Sequence, residues 1–343
     1  MVFSLVLLCL LGLSVLINFG QFASSFITVP GTHYSHVAGP RIEEILIEER
    51  DGADKIAVIE IDGVITGQAI DQGGFGRVEV VRAELKKAEE DHRVKAVILK
   101  IDSPGGEVLA SDELNRAIVE FQKRTEKPVI ASMGNVAASG GYYVAVGSRW
   151  IVANELTITG SIGVIMHAWN YRGLMDKVGV RPEVYKSGKF KDMLSGEREP
   201  GEIPPEEREM MQSMINQTYA RFKSVVASGR QQSKQKNRDD GEALAPDWAD
   251  YADGRVLTGS DALKLGFVDE LGNFEDAVNR AEKIAGIEEA SVVQYQQRYD
   301  FSDFLRLFGS SEAKVVKVDL GMDGPRSRLQ TGQLYYLAPS FLR

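Results

Sequence analysis

Short apolar runs that alternate with helical patterns constrain the fold of this chain most strongly. Residues 55–61 (KIAVIEI), 95–101 (KAVILKI) and 129–132 (VIAS) have the composition of buried strands. Residues 78–91 and 107–123, which lie between these runs, have helical spacing. Strands that alternate with helices favour parallel βαβ units. We therefore predict an α/β fold built on a largely parallel sheet.

The second half of the chain continues the alternation less regularly. The pattern predicts strands at 150–153, 164–168 and 182–185, helices at 205–226 and 273–284, and a compact αβ segment at 254–272. Residues 228–240 are polar and charged, and we expect them to be exposed. After Gln297 no periodic pattern is strong enough to predict an element.

Two of the predicted strands end in glycine-rich turns, at 102–106 (DSPGG) and 137–141 (AASGG). In open α/β sheets, binding and catalytic sites assemble at the carboxyl ends of the strands. The second turn presents one hydroxyl, that of Ser139, at the start of a predicted helix. Helix N–H groups and the positive end of the dipole would favour an oxyanion there, and small neighbours let a substrate backbone approach. Ser139 is therefore a candidate nucleophile, and a tightly packed glycine turn without catalytic function is the alternative.

A serine nucleophile needs a base, and the residues offer two kinds. His167 lies at the end of a predicted apolar strand and would form a serine–histidine pair. The segment 184–197 carries Lys186, Lys189 and Lys191 among apolar residues. A lysine base must be neutral, which requires its pKa to fall from about 10.4 towards ~7–8. Both alternatives stay open on these residues, because lysines in such a run are also typical of a solvated surface.

Composition excludes several classes of function. The net charge of −9 argues against a nucleic-acid partner, since binding phosphates requires a basic face. The single cysteine, Cys9, excludes an intramolecular disulfide framework and makes a thiol nucleophile improbable. The four histidines are scattered and form no metal-binding motif, so we expect no zinc site.

An uncharged, leucine-rich run occupies residues 2–19, and the first charged residue after it is Arg41. Such a run is at the short end of what a membrane-spanning helix needs. A cleaved signal peptide is the alternative, with small residues at 22–25, but the positive n-region is missing. We predict an uncleaved membrane anchor within residues 1–25, followed by a linker at 26–54.

Six motifs in order give the chain a resemblance to a known family. They are 102–106 (DSPGG), 138–143 (ASGGYY), 159–164 (TGSIGV), 185–192 (YKSGKFKD), 254–259 (GRVLTG) and 266–272 (GFVDELG). Together they resemble the signal peptide peptidase A family in its short form, peptidase family S49. Members are membrane-anchored serine–lysine peptidases with the Clp-protease/crotonase fold. The resemblance thus implies an α/β superhelix of repeated ββα units with an N-terminal transmembrane anchor.

The resemblance also implies roles for individual residues. Ser139 would be the nucleophile and Lys191 the general base, and Ser161 would hold the lysine amine. The backbone N–H of Gly106, with that of Ser139 or Gly140, would line the oxyanion hole. Lysines 186 and 189 are the fallback bases within the same motif. The resemblance implies that no metal or organic cofactor is required.

The implied function is a membrane-anchored serine endopeptidase that cleaves apolar peptides such as remnant signal peptides. The resemblance implies a homo-oligomeric ring in which a neighbour completes the site, contact with lipid through residues 2–19, and an extracytoplasmic catalytic domain on a single-pass anchor. The peptidase domain would span 55–290, with a tail of unknown role at 291–343. The alternatives are a Clp-type peptidase with a Ser139–His167 pair and a non-catalytic crotonase-fold membrane scaffold.

Overall fold

The computed structural model describes residues 11–12, 14, 39–68, 75–297 and 333–338. The chain divides into two units, residues 1–38 and 39–343. In the first unit, Leu11, Gly12 and Ser14 are helical, and the rest of the predicted anchor at 2–19 lies outside the described residues. Among the helices that the structure describes, none is both long and apolar enough to span a bilayer.

The described residues of the second unit contain twelve strands. They are β1 (Ile42–Glu48), β2 (Lys55–Asp62), β3 (Val94–Ser103), β4 (Gly105–Glu107), β5 (Val129–Ala137), β6 (Trp150–Ala153), β7 (Ile158–Gly160), β8 (Ile165–Met166), β9 (Val256–Thr258), β10 (Glu270–Leu271), β11 (Ser291–Gln297) and β12 (Leu334–Leu337). Nine form one mixed sheet, in the order β1-β11-β2-β3-β5-β6-β10, with β7 beside β5 and β9 beside β7. From β11 to β10 every neighbouring pair is parallel, whereas β1 is antiparallel to β11.

Helices follow most of the parallel strands, as βαβ connections require. The helices are α1 (Arg77–Glu90), α2 (Val108–Thr125), α3 (Gly140–Ala145), α4 (Arg172–Val178), α5 (Pro205–Asn237), α6 (Gly259–Lys264) and α7 (Phe274–Ala285). Short 3-10 helices lie at Pro200–Glu202, Arg238–Asp240 and Trp248–Tyr251.

The central strands β2, β3, β5 and β6 are buried on both faces, which explains why they are largely apolar runs without polar alternation. In β2, Ala57, Ile59 and Ile61 belong to the larger core cluster, whereas Ile56 and Val58 belong to the smaller one. This two-residue period sends successive side chains to opposite faces. Helices α1, α2, α3 and α5 cover the larger cluster, and α7 covers the smaller one.

A second, smaller sheet has three antiparallel strands in the order β4-β12-β8. Strand β4 consists of the last two residues of the predicted DSPGG turn and the following Glu107, so part of that turn is extended backbone. Strand β12 comes from the part of the chain for which the sequence predicted no element. The register pairs Tyr336 with Gly106.

Most sequence-predicted elements are confirmed, and one strand prediction is wrong. Residues 182–185 form no strand. Residues 228–237 are mostly exposed or half-buried, as predicted, but they also continue helix α5, which the sequence pattern ended at Val226. The helix continues because Arg230 and Ser233 are buried against residues that are distant in sequence. Strand β1 lies within the predicted linker at 26–54 and pairs with β11.

A buried ion pair holds α5 against the sheet. The Arg230 guanidinium donates to both Asp269 carboxylate oxygens, at 2.7 and 2.6 Å, with side-chain exposures of 1% and 0%. The same carboxylate accepts the Ile151 N–H at 2.9 Å. We expect Asp269→Asn to lower the free energy of unfolding by about 3–5 kcal/mol, because it leaves a buried guanidinium without its counter-charge. Equilibrium urea unfolding measures this.

The matched control for that prediction is an exposed ion pair. Arg255 and Asp253 contact each other at 2.7 Å with about half of each side chain exposed. We expect Asp253→Asn to cost less than about 1 kcal/mol, because water screens such pairs. Equal losses in the two variants would contradict the assignment of the Arg230–Asp269 pair as a main support of α5.

A buried glutamate in α1 predicts a pH-dependent stability. Burial raises the pKa of Glu84 from its usual 4.5 to about 8, so the folded state favours the protonated form. The contribution of Glu84 to the free energy of unfolding is therefore fully present below about pH 4.5, and it is lost as pH rises through about 8. We expect Glu84→Gln to be more stable than the wild type at pH 9 by roughly 2–4 kcal/mol, and to match it near pH 4.

Thermal or urea unfolding across pH 4–9 measures how the stability of each variant changes with pH. The exposed Glu90 on the same helix is the control, and Glu90→Gln should keep the wild-type pH dependence. A Glu84→Gln variant whose stability falls with pH as steeply as the wild type would contradict the prediction.

Candidate active site

Ser139 lies in a sharp turn between the parallel strand β5 and helix α3. Its side chain is 1% exposed and its backbone has φ 53° and ψ −116°, in the left-handed region that non-glycine residues rarely adopt. The Ser139 N–H donates to Gly160 O at 2.8 Å, and Ser139 O accepts from Tyr143 N at 2.8 Å. Its Oγ has no hydrogen-bond partner among the described residues. A strained backbone and an unpartnered hydroxyl are typical of a functional serine.

The backbones of the two glycine-rich turns pack directly against each other. A Cβ added to Gly140 would lie 3.0 Å from Gly106 N and 2.6 Å from Ser111 Oγ. One added to Gly105, which has φ +104°, would lie 2.6 Å from Gly140 N. The sequence-predicted oxyanion residues Gly106 and Gly140 are therefore neighbours, and a side chain at either Gly105 or Gly140 would separate the turns. Backbone N–H groups grouped in this way can stabilise a developing oxyanion.

Ser161 follows Gly160, whose carbonyl accepts a hydrogen bond from the Ser139 N–H. The two serines are therefore joined through one peptide unit. Ser161 is buried and also has a positive φ, of 50°, and its N–H donates to Arg255 O at 2.7 Å. The backbone of Ser161 is therefore linked to that of Ser139 through the Gly160 carbonyl.

The chain's own strand β12 lies along β4 beside this site. Tyr336 pairs with Gly106, and the Ala338 N–H donates to Pro104 O at 2.9 Å. The other edge of β12 pairs with β8, so an extended segment is held between two strands. A Cβ on Gly105 would lie 2.0 Å from Tyr336 O, so β12 requires glycine there.

An aromatic pocket receives the side chain of Tyr336. Its ring stacks on Tyr143 at 5.0 Å between centroids and contacts Phe222 at 4.6 Å. Its hydroxyl donates to Thr218 O at 3.2 Å. The Tyr143 hydroxyl donates to Asp112 at 2.5 Å, and burial together with this bond raises the pKa of Tyr143. The pocket therefore suits a large apolar or aromatic side chain of an extended peptide.

The three candidate lysines differ in their contacts. Lys186 contacts Asp192 at 2.8 Å, and Lys189 contacts Glu206 at 3.0 Å. Lys191 is exposed, and its ammonium has no ion pair or hydrogen bond with the described residues. The structure does not bring Lys191 Nζ to hydrogen-bond distance of Ser139 Oγ within one chain. Lys191 is thus the one lysine of this segment that is free to act elsewhere, among the residues described.

The segment that carries Lys191 contacts α5 through a buried ion pair, besides the exposed pair of Lys189 with Glu206. The Arg198 guanidinium donates to both oxygens of the buried Glu207 at 2.5 and 2.6 Å, and the Leu194 N–H donates to Glu207 at 3.1 Å. Around this segment, large apolar side chains are exposed to solvent: Trp169, Leu174, Val178, Val180, Val184 and Tyr185, the last at 91%. Such a surface is typical of a contact with another protein chain.

His167 is the alternative base that the sequence offered. It follows β8 directly, and its Nε2 is buried without a hydrogen-bond partner in the described part of the chain. It does not hydrogen bond to Ser139 Oγ. No cluster of the described His, Cys, Asp and Glu side chains has the arrangement of a metal site.

The sequence missed two parts of this site. It gave no indication of β12, because the four residues of that strand lack a period and their pairing partners lie more than 160 residues away. It also gave no indication of the aromatic pocket, because Tyr143 and Phe222 meet only through the packing of α3 on α5. The pair of tyrosines at 335–336 was the only signal in the tail.

Comparisons with known proteins show the family to which the chain is similar. The model of peptidase family S49 matches residues 121–288. A candidate signal peptide peptidase SppA of Enterococcus faecium is 36% identical over 275 residues, which cover 78% of this chain and 75% of that protein. The chloroplastic serine protease SPPA of Arabidopsis thaliana is 34% identical over 280 residues, which cover 80% of this chain and 39% of that protein.

These matches, with a serine at a strand-to-helix turn of a parallel α/β sheet, define a class of hydrolase. The chain belongs to peptidase family S49. It is a serine peptidase. Among solved structures, a lysine-to-alanine variant of the 1510-N membrane-bound stomatin-specific protease with a substrate peptide is 19% identical. It covers 74% of this chain and 97% of its own, with a TM-score of 0.40.

Proposed function

We propose that this chain is a membrane-anchored endopeptidase that cleaves apolar peptides, remnant signal peptides among them, through a Ser139–Lys191 dyad. The observation that carries the proposal is the buried, unpartnered Ser139 Oγ on strained backbone, beside a glycine edge that holds an extended segment. Lys191 takes the proton of Ser139 Oγ as this oxygen attacks the scissile carbonyl, and the peptide C–N bond breaks as the lysine returns the proton to the leaving amine. Water, deprotonated by the same lysine, then hydrolyses the acyl-enzyme and releases the carboxylic acid and free Ser139. The N–H groups of Gly106 and Gly140 stabilise the oxyanion, and Ser161 orients the lysine amine.

The base reaches Ser139 from a second copy of the chain. Lys191 is solvent-exposed on a segment surrounded by exposed apolar side chains, whereas Ser139 Oγ has no hydrogen-bond partner among the residues of its own chain that the structure describes. When two copies meet through that surface, the ammonium leaves water, and an ammonium in a desolvated site gives up its proton more readily. A head-to-tail contact of this kind closes into a ring, which makes the enzyme a homo-oligomer.

The substrate binds as a β-strand along β4. Main-chain pairing of this type is independent of sequence, and side-chain pockets supply the preference. The chain's own segment at this place, LYYL, is apolar, and its second tyrosine fills the aromatic pocket of Tyr143 and Phe222. A substrate strand takes the place of β12 and puts an apolar or aromatic side chain into this pocket.

The sequence supplies the membrane part of the proposal. Residues 2–19 anchor the chain by a single pass, with the peptidase domain on the extracytoplasmic side, where remnant signal peptides are accessible from the bilayer. The parallel βα units of the main sheet support a Clp-protease/crotonase type of superhelix.

Covalent labelling tests the proposed function directly. The full-length protein in detergent is treated with a fluorophosphonate probe, and the labelled peptide is identified by mass spectrometry. In parallel, hydrolysis of a set of apolar and charged peptides is measured. We expect labelling at Ser139 and faster cleavage of the peptides with aromatic or large apolar residues. A folded protein that is neither labelled nor active on any peptide would favour the scaffold alternative.

A further inference from the structure

A cleft of about 250 Å³ lies between α2, the turn after α3 and the middle of α5. It is at the opposite end of α3 from the nucleophile: Ser139 directly precedes this six-residue helix, whereas Ser148 and Arg149 follow it. Neither Ser139 nor the glycines beside it line the cleft. The cleft is therefore separate from the candidate active site.

The charges that line the cleft are mostly positive. They belong to Arg116, Arg149, Arg221 and Lys236, and the carboxylate of Glu120 is the one acidic group among the lining residues. The chain as a whole carries a net charge of −9. A basic cleft on an acidic protein attracts anions selectively, since clefts concentrate the field of their charged walls.

Two of these cations already share a counter-ion. Arg116 contacts Asp112 at 2.6 Å, and Arg221 contacts the same carboxylate at 3.1 Å. The single negative charge of Asp112 thus balances only one of the two guanidinium charges at the edge of the cleft, and one positive charge remains.

Arg149 has only neutral partners. Its Nε donates to Asn237 Oδ1 at 2.9 Å, and its Nη2 donates to Lys236 O at 3.2 Å. Within the part of the chain that the structure describes, Arg149 forms no ion pair. Burial lowers the pKa of Arg149, as expected for a guanidinium that is partly removed from water without a counter-charge. An anion in the cleft would supply that charge.

Ser148 adds an unused hydroxyl to the same wall. It is 5% exposed, it lines the cleft, and its Oγ has no partner among the described residues. A buried hydroxyl without a hydrogen bond is costly, and such groups in native structures usually have a ligand or an ion nearby. Ser148 and Arg149 are adjacent in sequence, and both line the cleft.

We propose that this cleft binds a small molecule with a phosphate or carboxylate group, held by Arg149, Ser148 and Lys236. A guanidinium is suited to bidentate contacts with such oxyanions, and a hydroxyl and an ammonium complete the set of donors. The volume of about 250 Å³ is slightly below the ~300–1,000 Å³ of typical ligand pockets, which fits a small metabolite better than a large cofactor.

The experiment uses inorganic phosphate and succinate as probes of the full-length protein. Isothermal titration calorimetry is performed at constant ionic strength, because screening by salt would otherwise change with the ligand concentration. We expect saturable 1:1 binding of at least one probe, weakened about tenfold or more in Arg149→Gln and several-fold in Ser148→Ala and Lys236→Gln. Lys86→Gln, at an exposed lysine of α1, should bind as the wild type does.

The two probes distinguish the chemical source of the oxyanion. Preference for phosphate assigns a phosphorylated ligand, and preference for succinate assigns a carboxylate. Lys236 is exposed, so its variant keeps the test valid even where Arg149→Gln fails to fold. Absence of saturable binding for both probes, or equal binding by Lys236→Gln, Ser148→Ala and the wild type, would overturn the proposal. Ser139→Ala should bind the probes normally, which separates this cleft from the candidate active site.

Discussion

Ser139→Ala should reduce kcat/KM for an apolar peptide by roughly 10⁴–10⁶-fold, the range expected when a covalent nucleophile is removed. Ser139 Oγ is the one hydroxyl of the turn, and it is unpartnered among the described residues. Without it no acyl-enzyme forms, while Gly106 and Gly140 still bind the substrate carbonyl. KM should therefore change little, and labelling by a fluorophosphonate should disappear. Steady-state kinetics with purified full-length protein measures both constants.

A matched serine separates the loss of the nucleophile from disturbance of the fold. Ser161 is also buried with a positive φ, and it lies next to the Gly160 carbonyl that accepts the Ser139 N–H. We expect Ser161→Ala to keep fluorophosphonate labelling at a reduced rate, because its proposed role is to orient the base. A Ser139→Ala variant with substantial activity and an unchanged melting temperature would rule out the assignment of the nucleophile.

The central part of the fold could be predicted from the sequence because a strand that is buried on both faces requires an unbroken run of apolar residues. Strands such as β2 and β3 are unbroken apolar runs, and helices α1 and α2 between them have one apolar face. The position of Ser139 on a tight strand-to-helix turn was also predictable, since small residues and glycines are required wherever two backbones approach as closely as Gly105 and Gly140 do.

The parts that could not be predicted depend on partners far along the chain. The C-terminal half of α5 looks like a solvated segment, and only the ion pair of Arg230 with Asp269 reveals its buried face. Strand β12 is four residues long and is stabilised by β4 and β8, which its own sequence does not encode. Residues 182–185 alternate in the manner of a strand, but no neighbouring strand is available to pair with them.

Lys191→Ala should reduce kcat/KM by about 10²–10⁴-fold, the contribution of a general base. The matched controls are Lys186→Ala and Lys189→Ala in the same segment, whose ammonium groups pair with Asp192 and Glu206. Both controls should keep activity within a few-fold of the wild type. His167→Ala should also remain active. Loss of activity in His167→Ala with retention in Lys191→Ala would replace the dyad by a serine–histidine pair.

Mixed oligomers test whether the base comes from a neighbouring copy. Ser139→Ala and Lys191→Ala chains with different affinity tags are co-expressed, and assemblies that carry both tags are purified. If a neighbour supplies Lys191, a site is active when it combines the intact Ser139 of one chain with the intact Lys191 of the next. In a random mixture about half of the chains have an intact serine and about half of their neighbours an intact lysine, so about a quarter of wild-type activity should be restored. Mixing Ser139→Ala with a chain that carries both substitutions contains no intact serine and should stay inactive. If the mixed assembly is as inactive as either variant alone, the serine and the lysine of a site come from the same chain. Each variant chain would then lack one of the two residues that its own site needs.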